Sequence, residues 1–157
     1  MSTINKSKNN QNDETLINSN KILVNLDRDS VCMGDDCQSH KIRRSFEDKM
    51  SVEDFLHELS CYVPSMSNVV WAILCSSTIN TVLGYIITNK DCMPTIESEF
   101  EKHSLKQLFE AKIDIDVYCR YYHQSSFSWI DGATNRSIEK HSEYKTLLEK
   151  VKAEYSK

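Results

Sequence analysis

Seven consecutive apolar residues, Val69-Val-Trp-Ala-Ile-Leu-Cys75, most constrain how this chain can fold. A membrane-crossing helix needs roughly 20 such residues, so the run is too short to span a bilayer. A strand with one face in water would alternate apolar and polar side chains, and this run does not alternate. It therefore predicts a central β-strand covered on both faces. Thr81 to Thr88 reads as its hairpin partner, with the turn near Ser76 to Asn80.

Upstream, Lys21 to Leu26 has the short, β-branched character of a strand, and Val31 is expected to extend it. Gly34 with Asp35 and Asp36 marks a turn, because Gly permits positive φ and Asp caps turn amides. Lys41 to Phe46 follows as a second, edge-exposed strand, so the two form a hairpin with a long loop. Ser51 can cap a helix, and Glu53 and Asp54 favour the positive end of its dipole. Val52, Phe55, Leu56, Leu59 and Tyr62 then recur at helical spacing until Pro64 stops the run. Hairpin, capped helix, then hairpin resembles the β-grasp order over residues 21–88. The resemblance rests on element order and does not fix function.

The C-terminal half adds further elements. Thr95 after Pro94 is expected to start a helix, and Ser104 with Gln107 forms a capping-box pattern. Residues 113–122 alternate strictly, with Ile113, Ile115, Val117, Cys119 and Tyr121 on one side. Tyr118 and Tyr122 fall on the other side and are expected at the surface. Asp131-Gly132 marks a turn, and Ser137 to Tyr155 reads as a final amphipathic helix. The expected class is α+β. It has a mixed or antiparallel sheet, a β-grasp-like hairpin–helix–hairpin core, and added C-terminal helices in residues 95–155 that wrap it.

The chain has 157 residues, room for one ordinary domain, expected over residues 20–157. Residues 1–19 are polar and aperiodic, so they are expected to form a disordered arm. No apolar signal segment is visible, and the reading is of a cytoplasmic protein that enters no membrane. In that compartment the six cysteines are expected to be free thiols, with Cys61 and Cys75 as buried small hydrophobes. The formal net charge of −4 gives no general pull toward nucleic acid or anionic lipid. Lys41, Arg43 and Arg44 form a tight basic cluster, read as a solvated strand face.

Two segments concentrate chemistry. The first is Asp29-Ser-Val-Cys-Met-Gly-Asp-Asp-Cys-Gln-Ser-His40. Cys32, Cys37 and His40 have C-x4-C-x2-H spacing, which could supply three ligands of a tetrahedral metal site. No second ligand pair is evident, since Cys119 and His123 would meet only on a helix. Cys32 or Cys37 could alternatively act as a nucleophile with His40 as base. Asp35 and Asp36 form a weaker magnesium pair, because adjacent carboxylates on a turn point apart. The plain alternative is a hairpin loop whose carboxylates cap turn amides. The second segment runs from Tyr118 to Trp129. It interleaves aromatic rings with Arg120 and His123, the residue types of interface hot spots.

The loop Asp29-Ser30-Val31-Cys32-Met33-Gly34-Asp35-Asp36, followed by His40, resembles a motif of small bacterial proteins. In these a D-S-V-C-x-G-D-D loop precedes a short helix and a strand carrying a Trp, here Trp71. The resemblance covers about residues 22–88 and implies a candidate immunity factor against a bacterial toxin; no catalytic residue is carried over. The favoured reading is a non-enzymatic protein that binds a basic partner, such as a toxin domain, and needs no cofactor. Its partner surface would include Asp29, Asp35, Asp36, Tyr118, Tyr122 and Trp129. The competing reading is a metal- or thiol-dependent enzyme or sensor using the Cys32–His40 loop. A third is an adaptor whose sheet pairs edge to edge with another chain.

Overall fold

The computed structural model describes residues 20–31, 36–75, 81–89, 92–110, 114–123 and 142–156. The expected arm (1–19), the Asp131-Gly132 turn and Trp129 lie outside them, as do Cys32 and Asp35. The chain runs β1 (Lys21–Arg28), β2 (Ile42–Glu47), α1 (Val52–Ser60), β3 (Val69–Cys75), β4 (Thr81–Asn89) and β5 (Cys92–Glu97). α2 (Leu105–Phe109), β6 (Asp114–His123) and α3 (Ser142–Tyr155) follow. The strands form one mixed six-stranded sheet in the order β2-β1-β6-β3-β4-β5. Only the β1–β6 pair among them is parallel.

Both expected hairpins are present, but they do not pair with each other. β6 lies between them, parallel to β1 and antiparallel to β3. The segment expected to wrap the core therefore completes its centre. Alternation in residues 114–123 states which side chains are buried together; it says nothing about lateral position in the sheet.

β3 is buried on both faces, as its unbroken apolar run requires. Val69, Trp71, Ile73 and Cys75 join the main core, while Val70 and Ala72 join a second, smaller one. α1 covers the main core with Val52, Phe55, Leu56 and Leu59, all buried. Ser51 caps α1 by accepting from the Asp54 N–H at 3.0 Å. Ser104 and Gln107 form the expected capping box on α2. The two helix starts also satisfy one another. The Val52 N–H donates to the His103 carbonyl at 2.8 Å, and the Leu105 N–H donates to the Met50 carbonyl at 2.9 Å. Amides that a helix start leaves unpaired are thus used to join α1 and α2.

Several local expectations need correction. Residues 92–97 form β5, not a helix begun by Thr95. Pro94 lacks an N–H, and the edge position with a register shift near Ile87 and Asn89 accommodates it. Val31 lies past the end of β1 and does not extend it. Cys61 is exposed at the C-cap of α1, because the apolar stripe continues from Leu59 to Val63 and leaves position 61 off the core. Cys75 is buried as expected. The final helix is described from Ser142, later than the expected start.

α3 covers the second face over β3 and β4, with Leu147, Leu148 and Val151 packed on Val70, Ala72 and Ile87. Among the described residues no helix is long and apolar enough to cross a membrane.

Candidate functional site

The two segments that concentrate chemistry meet at one place. The β1–β6 ladder sets Arg28 opposite Cys119, and one step further the Asp29 N–H donates to the Cys119 carbonyl at 3.0 Å. β1 ends there while β6 continues. The Asp29 carboxylate takes over the role of the missing strand by accepting from the Tyr121 backbone N–H at 2.8 Å. It also accepts from the Tyr118 hydroxyl. Burial, then this bond to a carboxylate, push the Tyr118 phenol up to about 12, so it stays a donor. Asp29 and Tyr118 are therefore parts of one site, brought together by a parallel strand pair across 89 residues of sequence.

The loop folds back on the end of β1 through Arg28 and Asp36. The Arg28 guanidinium donates to both carboxylate oxygens of Asp36, at 2.8 and 3.1 Å. The Val31 N–H donates to the same carboxylate at 2.9 Å. These bonds, Arg28 first, hold the Asp36 carboxyl down to about 2, against an opposing push from desolvation. The other side of the clamp is His40. Its Nε2 lies 3.1 Å from Asp36 Oδ1 and 3.2 Å from Ser30 Oγ. The Tyr62 hydroxyl, from just beyond α1, donates to the His40 carbonyl at 2.6 Å.

That geometry bears on catalysis. A Ser–His–carboxylate relay uses both ring nitrogens, one toward each partner. Here Ser30 and Asp36 converge on the same nitrogen of His40, so the ring cannot pass a proton from one to the other. Asp36 is also committed to a bidentate guanidinium. Arg28 and Asp36 expose only 12% and 18% of their side chains, so the pair closes the loop and is not displayed as a recognition charge.

The remaining expected site residues fall in different places. Cys37 is exposed, and no group of metal-ligating side chains occurs among the described residues. Cys119 and His123 both lie on β6, where strand geometry separates them. Burial pushes the Cys119 thiol up to about 12, which makes it a poor thiolate. Tyr122 is not a surface ring. It faces away from the main core as expected, but α3 buries it, and its hydroxyl lies 2.8 Å from both Glu154 and the Tyr155 hydroxyl. Sequence reasoning missed Arg28 and Tyr62. The signal for Arg28 was the alternating charge of Asp27-Arg28-Asp29 at a strand end.

Beside Tyr118, the second face of the sheet stays polar where α3 does not reach. A groove of about 630 Å³ runs there, its rim carrying Asn25, Asp27, Lys41, Arg43, Asp116 and Tyr118 and its lining also including Leu26, Ile42 and Val117. The Asn25 amide donates to Asp114 and to Asp116, each at 2.9 Å, and Arg43 donates to Asp114 at 2.6 Å. Asp114 and Asp116 are exposed, spaced two apart on one face of β6. Lys41, Arg43 and Arg44 are exposed on and beside the edge strand β2, as expected for a solvated basic face. No family model, curated protein or solved structure matches this chain.

Proposed function

We propose that this chain is a non-enzymatic protein-binding protein whose docking surface is the polar half of the second sheet face. A toxin-immunity role is the sharpest form of that reading. One observation carries it: exposed Asp114 and Asp116 stand in a row on a rigid central strand, next to Tyr118 and Asp27. Carboxylates fixed on a sheet can steer a basic partner without the entropy loss of ordering a loop. The half-buried Tyr118 ring gives the row an aromatic neighbour of the kind that anchors interfaces. Asp29 braces this surface through the Tyr118 hydroxyl and the Tyr121 N–H, while Asp36 is engaged by Arg28 and the Val31 N–H. The β-grasp-like reading of the core belongs with this proposal. The hairpin–helix–hairpin order and the parallel pairing of β1 with β6 support it.

Co-expression with a basic toxin domain encoded beside this chain tests the proposal. Binding and relief of toxicity are expected. The Asp114→Asn, Asp116→Asn double variant is expected to slow association about five- to tenfold at low salt. Failure of every neighbouring basic protein to bind, with no protection, would overturn it.

A further inference from the structure

A second groove, of about 700 Å³, lies at the opposite edge of the sheet, between β4, β5 and the end of α3, and takes residues from both sheet faces. Its lining is mixed, with Tyr85, Ile96, Phe100 and Tyr155 set among polar and charged side chains. Its charged residues are Glu97, Glu99, Glu101 and Lys152. Lys152 does not balance the carboxylates. It is already bonded to Glu97 at 2.7 Å and lies 3.5 Å from Glu149. The C-terminal end of α3 opens here too, with Tyr155 and Ser156 in the lining, and a helix C-terminus carries partial negative charge. Tyr155 is held in place by Tyr122, whose ring meets it edge-on with centroids 6.4 Å apart.

We propose that this groove docks a basic segment of a partner protein, seating an Arg or Lys side chain among the Tyr85 and Tyr155 rings and the carboxylates of Glu97, Glu99 and Glu101. Charge complementarity selects the occupant. Among the described lining residues, three carboxylates and a helix C-terminus outweigh one cation, Lys152, which already has partners, while Arg120 of β6 is engaged by the Tyr122 and Tyr155 hydroxyls. Aromatic faces attract guanidinium and ammonium groups, most strongly where water is partly excluded. An extended segment suits the site because β5 is an edge strand. The inference does not depend on the Asp114–Asp116 surface, and it gives the chain a second contact for cationic partners.

A short Arg-containing peptide, titrated against isotope-labelled full chain by NMR, tests the groove directly. Saturable shifts are expected at residues 81–85, 96–101 and 152–156. The Glu99→Gln, Glu101→Gln variant should weaken binding about tenfold, and Lys152→Gln should strengthen it by freeing Glu97. Both variants change partly or fully exposed side chains, and unchanged thermal midpoints would verify their folding. Asp114→Asn with Asp116→Asn should leave the groove shifts intact. Shifts confined to the Asp114–Asp116 surface, or no saturable shifts, would overturn the groove while leaving the other surface to its own test. Tighter binding of free spermidine than of the peptide would also overturn it, by assigning the groove to a small cation.

Discussion

The two faces of this sheet are made by the same strands and behave differently. On the first, β1, β3, β4 and β6 all contribute to a continuous core closed by α1, with Phe109 of α2. On the second, α3 seals β3, β4 and the Tyr122 end of β6, through a small cluster of seven buried residues. The rest of that face carries Asn25, Asp114, Asp116 and Tyr118 in a hydrogen-bonded polar surface. Concentrating apolar burial on one face leaves the other free to hold charge. A substitution that harms the first face should therefore unfold the chain, whereas one on the polar half of the second should change what it binds.

The largest test is Phe55→Ala, which removes a fully buried ring packed edge-on against Phe46 at 4.9 Å. A loss of about 3–5 kcal/mol is expected in denaturant unfolding. The matching change on the second face, Leu148→Ala, should cost about 2 kcal/mol, because the smaller cluster can relax around it. Equal losses would break the asymmetry. Gly84→Ala addresses the same first face from the sheet side. A Cβ there would stand 2.6 Å from Leu56 Cδ1 and 2.7 Å from the Glu97 carbonyl oxygen. Backbone cannot move aside as a side-chain tip can, so a loss of about 1–3 kcal/mol is expected by thermal unfolding.

Asp29→Ala strips partners from the Tyr118 hydroxyl and the Tyr121 N–H. A loss of about 1–3 kcal/mol is expected, and faster hydrogen exchange at the Tyr121 amide would locate it. Asp36 gives a pH signature. Its carboxyl titrates at about 2 in the folded chain against an ordinary value of 3.8. Its stabilisation is therefore fully present above pH 3.8 and is lost as the pH falls through about 2. Wild type and Asp36→Asn should differ in urea stability at neutral pH and converge in strong acid. A gap that persists unchanged at pH 2 would assign Asp36 no charge-dependent role. The smallest effect on stability is expected from Asp114→Asn with Asp116→Asn. The change in unfolding free energy should stay within about 1 kcal/mol, because exposed charge interactions contribute little.

Much of the framework is readable from local chemistry. The Ser51 cap, the Val52–Leu59 stripe, the unbroken run of β3 and the alternation in β6 each use one period and one set of propensities. Where a competing local rule intervened, the reading failed. Thr95 after Pro94 looked like a helix start, yet pairing with β4 made the segment an edge strand. Tyr122 looked like a surface ring because alternation gives its face, while burial of that face depends on α3 from a distant part of the chain.

The candidate site was half legible for the same reason. Composition and spacing marked Asp29 to His40 and Tyr118 to Trp129 as two separate places of interest. They could not say that Asp29 and Tyr118 touch, or that Ser30 and Asp36 share one nitrogen of His40. By itself, the sequence determined most of the strands and helices, β5 excepted, and which side of each is apolar, because those follow from neighbours two to four positions away. Only the tertiary structure decided that β6 lies between the hairpins, that the loop is clamped by Arg28, and which half of the second face remains polar. Those outcomes depend on contacts between residues tens of positions apart, which local periodicity does not encode.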